Sequence, residues 1–392
     1  MHEEFLIQLQ KVSKLYGLNK SEAEKLLQTG ANKSQVYEKT GVISALWDVN
    51  LNVRKGEIFV IIGLSGSGKS TVVRCLNRLI KPTAGEIRYQ GARIDKFSKK
   101  ELLQYRRDKV SMVFQSFALF SNRNVLENIT YGLEVKGVSK ADREAKALEL
   151  MDMVGLSGLG AQPISSLSGG MKQRVGIARA LAPDPEVLLM DEPFSALDPL
   201  VRKEMQFELL TLQRRLQKTV IFITHDIDEA FKLGDTVAIM RDGQVIQIDT
   251  PENMASNPAD DYVRSFIEGA DKTKVLSVGQ IMLKPGCMIL LQEGPQGAIR
   301  EMRAHSVSSA FVVDKKMKFL GLVTIDAAIA ARAQKTALED ALIKDIPSVS
   351  PDALISSILP IAAEARFPIA VLEEDKLKGI VTKASVLSSL IS

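Results

Sequence analysis

Residues 63–70 read GLSGSGKS and follow directly on the apolar run Ile58–Ile62. The stretch fits G-x-x-x-x-G-K-[ST], in which a glycine-rich loop turns its backbone N–H groups toward phosphates and a lysine adds a point charge. Lys69 is that lysine, Ser70 is the hydroxyl suited to Mg²⁺, and Ser65, Gly66, Ser67, Gly68 and Thr71 complete the cradle. Glycine at 63, 66 and 68 is expected to let the backbone approach the phosphates, which a side chain would hold off. Periodicity from Ser70 to Leu79 is helical, so the loop lies between a strand and a helix whose N-terminal dipole favours an anion.

Two further apolar runs read as buried parallel strands, Val187–Met190 and Thr219–Thr224. The first delivers Asp191 and Glu192, the second His225 and Asp226, to the strand ends where open α/β sheets bind ligands. Asp191 suits the shell of a Mg²⁺ ion, and Glu192 is placed to polarise an attacking water. His225 is one of three histidines, with His2 and His305, and gains meaning only from this company.

LSGGMKQR at 167–174, Gln115 within MVFQSFALF and SALD at 195–198 extend the pattern. Together with the loop, the acidic pair and His225, they closely resemble the ATP-binding cassette subunits of ABC transporters, in order, over residues 5 to about 250. The resemblance implies ATP as ligand with Mg²⁺, and a head-to-tail dimer. In it, Ser168, Gly169 and Gly170 of one copy close on the ATP held by the loop of the other. It further implies that Tyr16 of KLYG stacks on adenine, and that Gln115 senses Mg²⁺ and water and couples to a membrane subunit. Asp198 would make a contact across the dimer, Glu192 would be the catalytic base, and His225 would link it to the γ-phosphate. Gln115 and a helical subdomain, from about Phe117 to Leu181, would meet the transporter.

Between Tyr16 and the next expected strand lies an insertion, residues 17–43. SEAEKLLQTG, Ser21 to Gly30, predicts a short helix with a Ser21/Glu24 capping box and a closing glycine, and NKSQVYEKTG a second. With GLSGSGKSTVVRCLNRLIKPTAGEI and VFQSFALF, the insert resembles the ATPase subunit of glycine betaine/proline importers. That implies a permease partner carrying a substrate-binding domain or protein, and a peripheral position on the cytoplasmic face of a bacterial plasma membrane.

A length of 392 residues exceeds what one core normally serves. The expected division is a cassette over 1–268, a linker over 269–275 and a smaller α+β module over 276–392. With 45% hydrophobic and 25% charged residues, and no run near the roughly 18 apolar residues of a spanning helix, the composition is that of a soluble protein. MHEEF is acidic where a secretory leader is basic. Cys75 and Cys287 are expected to be free thiols in different domains. A net charge of +4 is too small for a nucleic-acid partner, and Arg106–Arg107 and Arg214–Arg215 read as solvated helix faces.

The C-terminal part contains a repeat: AFVVDKKMKFLGLVTIDAAI (310–329) aligns without gaps to PIAVLEEDKLKGIVTKASVL (368–387). Each copy is strand, charged turn, strand, helix, and the pair resembles tandem CBS domains, a regulatory module. Nucleotide-binding CBS repeats often place aspartate three residues after the threonine of G-x-x-T. Here Ala327 and Ser385 stand there and Asp326 is out of register, which argues against AMP or ATP and leaves a cyclic dinucleotide. Lys316 and Lys318 on one hairpin, with Lys376 and Lys378 on the other, are expected to form matched cationic tips that sense ionic strength at an anionic lipid surface.

The alternatives are an importer of another solute, such as an amino acid or methionine, and a soluble ABC ATPase acting on nucleic acid or the ribosome. The latter would carry two cassettes or a long coiled coil, neither of which is present. A small-molecule kinase would have no use for LSGGMKQR.

Overall fold

The computed structural model describes residues 5–268 and 272–391. The chain divides into two compact units, Met1–Ala270 and Asp271–Ser392.

In the first unit a four-stranded antiparallel sheet is built from β1 (Phe5–Tyr16), β2 (Ile43–Arg54), β4 (Ala84–Tyr89) and β5 (Ala92–Arg93), in the order β2-β1-β4-β5. A six-stranded sheet holds β3 (Ile58–Ile62), β6 (Val110–Val113), β7 (Val187–Asp191), β8 (Thr219–Thr224), β9 (Thr236–Arg241) and β10 (Gln244–Asp249). Its order is β10-β9-β3-β8-β7-β6, all parallel except the β9–β10 hairpin. Every residue of β3, β7 and β8 is buried, as continuous apolar runs require of strands covered on both faces. The parallel register, Ile62 opposite Thr224 and Met190 opposite Phe222, brings the three strand ends to one edge.

The insertion folds as α1 (Lys20–Gln28) and α2 (Lys33–Thr40). The expected Ser21 cap is not made: the capping position falls two residues earlier, at Asn19, with no side-chain cap bond. For α2, Asn32 and Gln35 form a capping box and Gly41 closes the helix in the left-handed region at φ 68°. Ala23, Leu27, Val36, Leu15 and Val42 form a separate buried cluster, and Trp47 packs on it, so the insert is anchored to the sheet. α3 (Lys69–Leu76) follows the glycine-rich loop. α4 (Lys99–Asp108) carries Arg106 and Arg107, which are not a solvated face. Arg106 donates to the carbonyls of Asn77 and Arg78 at 2.8 and 2.6 Å, and Arg107 to that of Val135 at 2.6 Å. Both close helix ends whose carbonyls would otherwise lack partners. Arg214 and Arg215 are exposed. The stretch after β6 is irregular until α5 (Val125–Val135), which α6 (Lys140–Met153) and α7 (Gly169–Leu181) follow, with α8 (Pro199–Leu216) after the acidic pair.

The second unit holds two similar three-stranded sheets, β11 (Met288–Leu290) with β12 (Ser309–Val313) and β13 (Phe319–Thr324), and β14 (Ser348–Val349) with β15 (Ile369–Glu373) and β16 (Lys376–Val381). In each, the first pair is parallel and the second antiparallel. The segment leading each half pairs with the last strand of the other: Leu283 exchanges two backbone hydrogen bonds with Ile380 at 2.8 Å, and Ile343 does so with Leu322 at 2.8 and 3.0 Å. The hairpin tips also pair, Lys318 opposite Lys376.

The tips are not the matched cationic pair expected. Lys318 lies 3.1 Å from Asp375 and Lys378 2.6 Å from Glu373, so the acidic run at 373–375 neutralises both. Along the gapless repeat, Lys316 falls on Glu374, and only Lys318 and Lys376 coincide. Thr324 and Thr382 cap the helices after them, accepting from the N–H groups of Ala327 and Ser385 at 3.3 and 3.0 Å. Cys75 and Cys287 are buried free thiols, one in each unit. No helix among the described residues is long and apolar enough to cross a membrane.

Candidate functional site

The loop between β3 and α3 is fixed by two of its glycines. A Cβ on Gly63 would stand 2.2 Å from the Met240 carbonyl, and one on Gly68 2.6 Å from that of Ala45, so neighbouring backbone is what excludes side chains there. Gly66 meets nothing within 4 Å and is required instead by its φ of 81°. The expected reason, keeping side chains off the phosphates, is thus secondary to tight packing under the loop at two of the three.

Lys69 is buried and its Nζ donates to the carbonyls of Gly63 and Leu64 at 2.7 and 3.1 Å. Burial pushes its pKa below the ordinary lysine value, against the pull of the Glu192 and Asp191 carboxylates. Ser70 Oγ donates from the start of α3 to Asp191 Oδ1 at the end of β7 at 2.8 Å, and Arg74 approaches the same carboxylate at 3.9 Å.

Glu192 stands just past the end of β7 in the left-handed region, φ 46°, an uncommon state for a residue with a Cβ. Its backbone N–H donates to Ile223 of β8 at 3.1 Å. Two side chains from other strand ends converge on its Oε2: Gln115 Nε2 donates at 3.4 Å, and His225 Nδ1 lies at 3.1 Å. Gln115, Glu192 and His225, distant in sequence, are therefore one cluster.

Ser168 caps α7, accepting from Met171 N–H at 3.3 Å, and Asp198 caps α8, accepting from Val201 N–H at 3.1 Å. The two helix starts are neighbours: a Cβ on Gly169 would lie 3.5 Å from Leu197, and one on Gly170 2.6 Å from Val201. Ser168, Gly169 and Asp198 are exposed, so donors and a carboxylate share one surface patch.

Beside the loop is a cavity of about 850 Å³. Ser65, Gly66, Gly68, Lys69, Ser70, Thr71, Gln115 and Glu192 line it, whereas Tyr16 and Ser67 do not. Ser67 is buried, and Tyr16 sits at the end of β1 with the Lys14 ammonium 4.7 Å from its ring centroid. The opposite wall comes from the insertion, through Lys33, Ser34, Tyr37 and Glu38 of α2. The sequence carried a signal for this: the i, i+4 pairs Lys33/Tyr37 and Ser34/Glu38 lie off the stripe that buries Val36 and Thr40.

The family description "ABC transporter" matches residues 46–195, and "CBS domain" matches residues 338–392. The chain is 46% identical over 385 residues to the glycine betaine/carnitine transport ATP-binding protein GbuA of Listeria monocytogenes, covering 98% of this chain and 97% of that protein. It is 46% identical over 385 residues to the glycine betaine transport ATP-binding protein OpuAA of Bacillus subtilis, covering 98% and 92% respectively. Among solved structures it is similar to the ATP-binding cassette MJ0796 in a dimeric post-hydrolysis state bound to ADP and Pi. That likeness has a TM-score of 0.53 at 34% identity, over 63% of this chain and 99% of that chain.

Proposed function

The chain belongs to the ATP-binding subunits of ABC transporters, in the group that serves glycine betaine and related quaternary amines, and from that premise we propose that it hydrolyses ATP to power their uptake. Its partners in this reading are a second copy of itself and a transmembrane permease with a substrate-binding domain or protein, at the cytoplasmic face of a bacterial membrane. The observation that carries the catalytic part is the convergence of Gln115 and His225 on one oxygen of Glu192, beside the Ser70–Asp191 pair.

ATP lies with its phosphates on the loop, where backbone N–H groups, the start of α3 and Lys69 offset their charge. The donor set of Ser70, Asp191 and the Gln115 carbonyl is all oxygen with a single carboxylate, which fits Mg²⁺ completed by phosphate oxygens and water. Bound there, Mg²⁺ would neutralise charge on the β- and γ-phosphates. Glu192 accepts a proton from water as the water oxygen bonds to the γ-phosphorus. The bond to the β,γ-bridging oxygen breaks, and ADP leaves with its electron pair beside inorganic phosphate. His225 holds the carboxylate in position, and Gln115, touching the same oxygen, places the water. Ser168, Gly169 and Asp198 of the second copy close on the γ-phosphate from the exposed patch at the starts of α7 and α8, while Gly170, buried against Val201, lets the two helix starts approach.

For the C-terminal module we favour a cyclic dinucleotide over an anionic lipid surface. The ion pairs made by Lys318 and Lys378 weaken the lipid reading. The experiment that tests the main reading is ATP hydrolysis by the complex copurifying with this chain, reconstituted in anionic lipid, with and without glycine betaine. Stimulation is expected. A membrane partner with no stimulation by betaine would discard the solute, and no membrane partner would discard the importer.

A further inference from the structure

We propose that Arg202 of α8 is a positioning residue for hydrolysis: by pairing with Asp226 it holds the turn that carries His225, so that the imidazole meets the Glu192 carboxylate. This rests on the reading that Glu192 is the base and His225 its support.

The turn after β8 supplies the argument. His225 is the first residue past the strand, and α9 (Ile227–Leu233) begins two residues later. Asp226, between them, is engaged three times. Its N–H donates to Thr224 Oγ1 at 3.0 Å, its Oδ1 accepts from Glu229 N–H at 3.1 Å as the cap of α9, and its Oδ2 lies 3.5 Å from Arg202 Nη1. The first two contacts stay within the turn and its own helix, whereas the third reaches α8. One turn further along α8, Gln206 Nε2 donates to Glu229 Oε1 at 2.9 Å, and Gln206 Oε1 accepts from Lys232 Nζ at 3.0 Å. Gln206 and Glu229 are buried. This deeper layer fastens α9 to α8, and the outer layer, Arg202 with Asp226, fastens the residue next to His225.

The His225 side chain is 56% exposed, so close packing does not set its direction and the backbone on which it stands must do so. Arg202 is placed to fix that backbone. Its own N–H donates to the Asp198 carbonyl at 2.9 Å, one turn from the carboxylate that caps α8 in the exposed patch. Its Nε is buried with no partner among the described residues. Burying an unpaired donor costs free energy, which fits a guanidinium drawn to Asp226 rather than one seated for stability alone. A group held to the site through such a support loses rate when the support is loosened, because reaction geometry tolerates little displacement.

The test is ATP hydrolysis by the reconstituted complex, read as kcat and KM. Arg202→Gln is expected to lower kcat roughly ten- to a hundred-fold, the scale of a misplacement of about 1 Å, with KM for ATP little changed because the glycine-rich loop is untouched. Asp226→Asn, which can still cap α9, is expected to do the same from the other side of the pair, and Arg202→Lys to recover part of the rate. In a His225→Ala background, single-turnover hydrolysis is expected to show no further loss from Arg202→Gln, since a residue acting through His225 has nothing left to position. A parental kcat in Arg202→Gln and Asp226→Asn overturns the proposal. So does a loss that multiplies with that of His225→Ala, or a lowered thermal midpoint with kcat and KM both changed and no rescue by lysine. Should Arg202→Gln fail to fold, Asp226→Asn carries the same comparison. A parental complex that does not hydrolyse ATP overturns the ATP reading beneath and the proposal with it, an outcome distinct from the others.

Discussion

Replacing Glu192 by Gln removes one proton-accepting charge and almost nothing else. The amide is isosteric with the carboxylate, so the contacts at 3.4 Å to Gln115 and 3.1 Å to His225 have partners of the same size, and the Ser70–Asp191 pair is untouched. The nucleotide should therefore still bind, while water loses its base. General-base assistance is worth about 10²–10⁴ in rate, so turnover should fall by that factor, about 3–5 kcal/mol of barrier. Because ATP is bound but not cleaved, two copies should remain closed around it. The assay is phosphate release by the reconstituted complex beside size-exclusion chromatography of the isolated chain with ATP. Slow turnover with an ATP-dependent dimer is the expected outcome. Hydrolysis within about three-fold of the parent, less than 1 kcal/mol, would refute Glu192 as the base.

Gly63→Ala should destabilise the first unit by about 2 kcal/mol or more, because its Cβ would stand 2.2 Å from the Met240 carbonyl and 2.8 Å from Ser67 Oγ. A thermal midpoint unchanged from the parent would show that β9 yields easily. Phe222→Ala, which empties a fully buried site tilted against Phe194 at 5.6 Å between ring centroids, should cost about 3–5 kcal/mol in denaturant unfolding, and a loss under 1 kcal/mol would mean collapse of the cavity. The hydrogen bond from Arg123 at 2.9 Å holds the Glu134 carboxyl below its ordinary pKa. Its contribution is present above the ordinary carboxylate range and lost as pH falls through the lowered value. Arg123→Gln should accordingly flatten the acid limb of a stability-versus-pH curve, and an unchanged limb would remove the pair from the account. Replacing Lys318 and Lys378 together by Gln should leave the salt threshold of transport in vesicles where it was, because Asp375 and Glu373 already pair with them. A displaced threshold would restore these lysines as sensors.

Much of the cassette is legible in the sequence because its signals are local. The apolar run Ile58–Ile62 can only be a covered strand, and GLSGSGKS needs no partner to be read as a phosphate loop. The strands ending at Asp191 and before His225 are equally plain, and Asn32 and Gly41 delimit α2. What escaped depends on contacts between distant segments. Ser21 offered a plausible cap, but the chain turning out of β1 begins the helix at Lys20. Arg106 and Arg107 appear solvated until the carbonyls of Asn77, Arg78 and Val135 are seen beneath them. Lys318 is paired with Asp375 only because the two hairpins meet. The same reason hid Tyr37, since which face of an inserted helix overlooks the loop is decided by the Leu15, Val42 and Trp47 surface it lands on.

The reciprocal pairing of Leu283 with Ile380 and Ile343 with Leu322 bears on whether either half of the C-terminal unit can stand alone. Each half lends its leading segment to its sibling, so the two sheets are completed together. A gene truncated between them would leave each half with an open sheet edge, an invitation to pair with a neighbouring molecule. The two halves are thus joined by main-chain hydrogen bonds that are indifferent to side chains. That indifference lets the two halves differ in side chains, as at Ala327 and Ser385, while sharing one backbone frame.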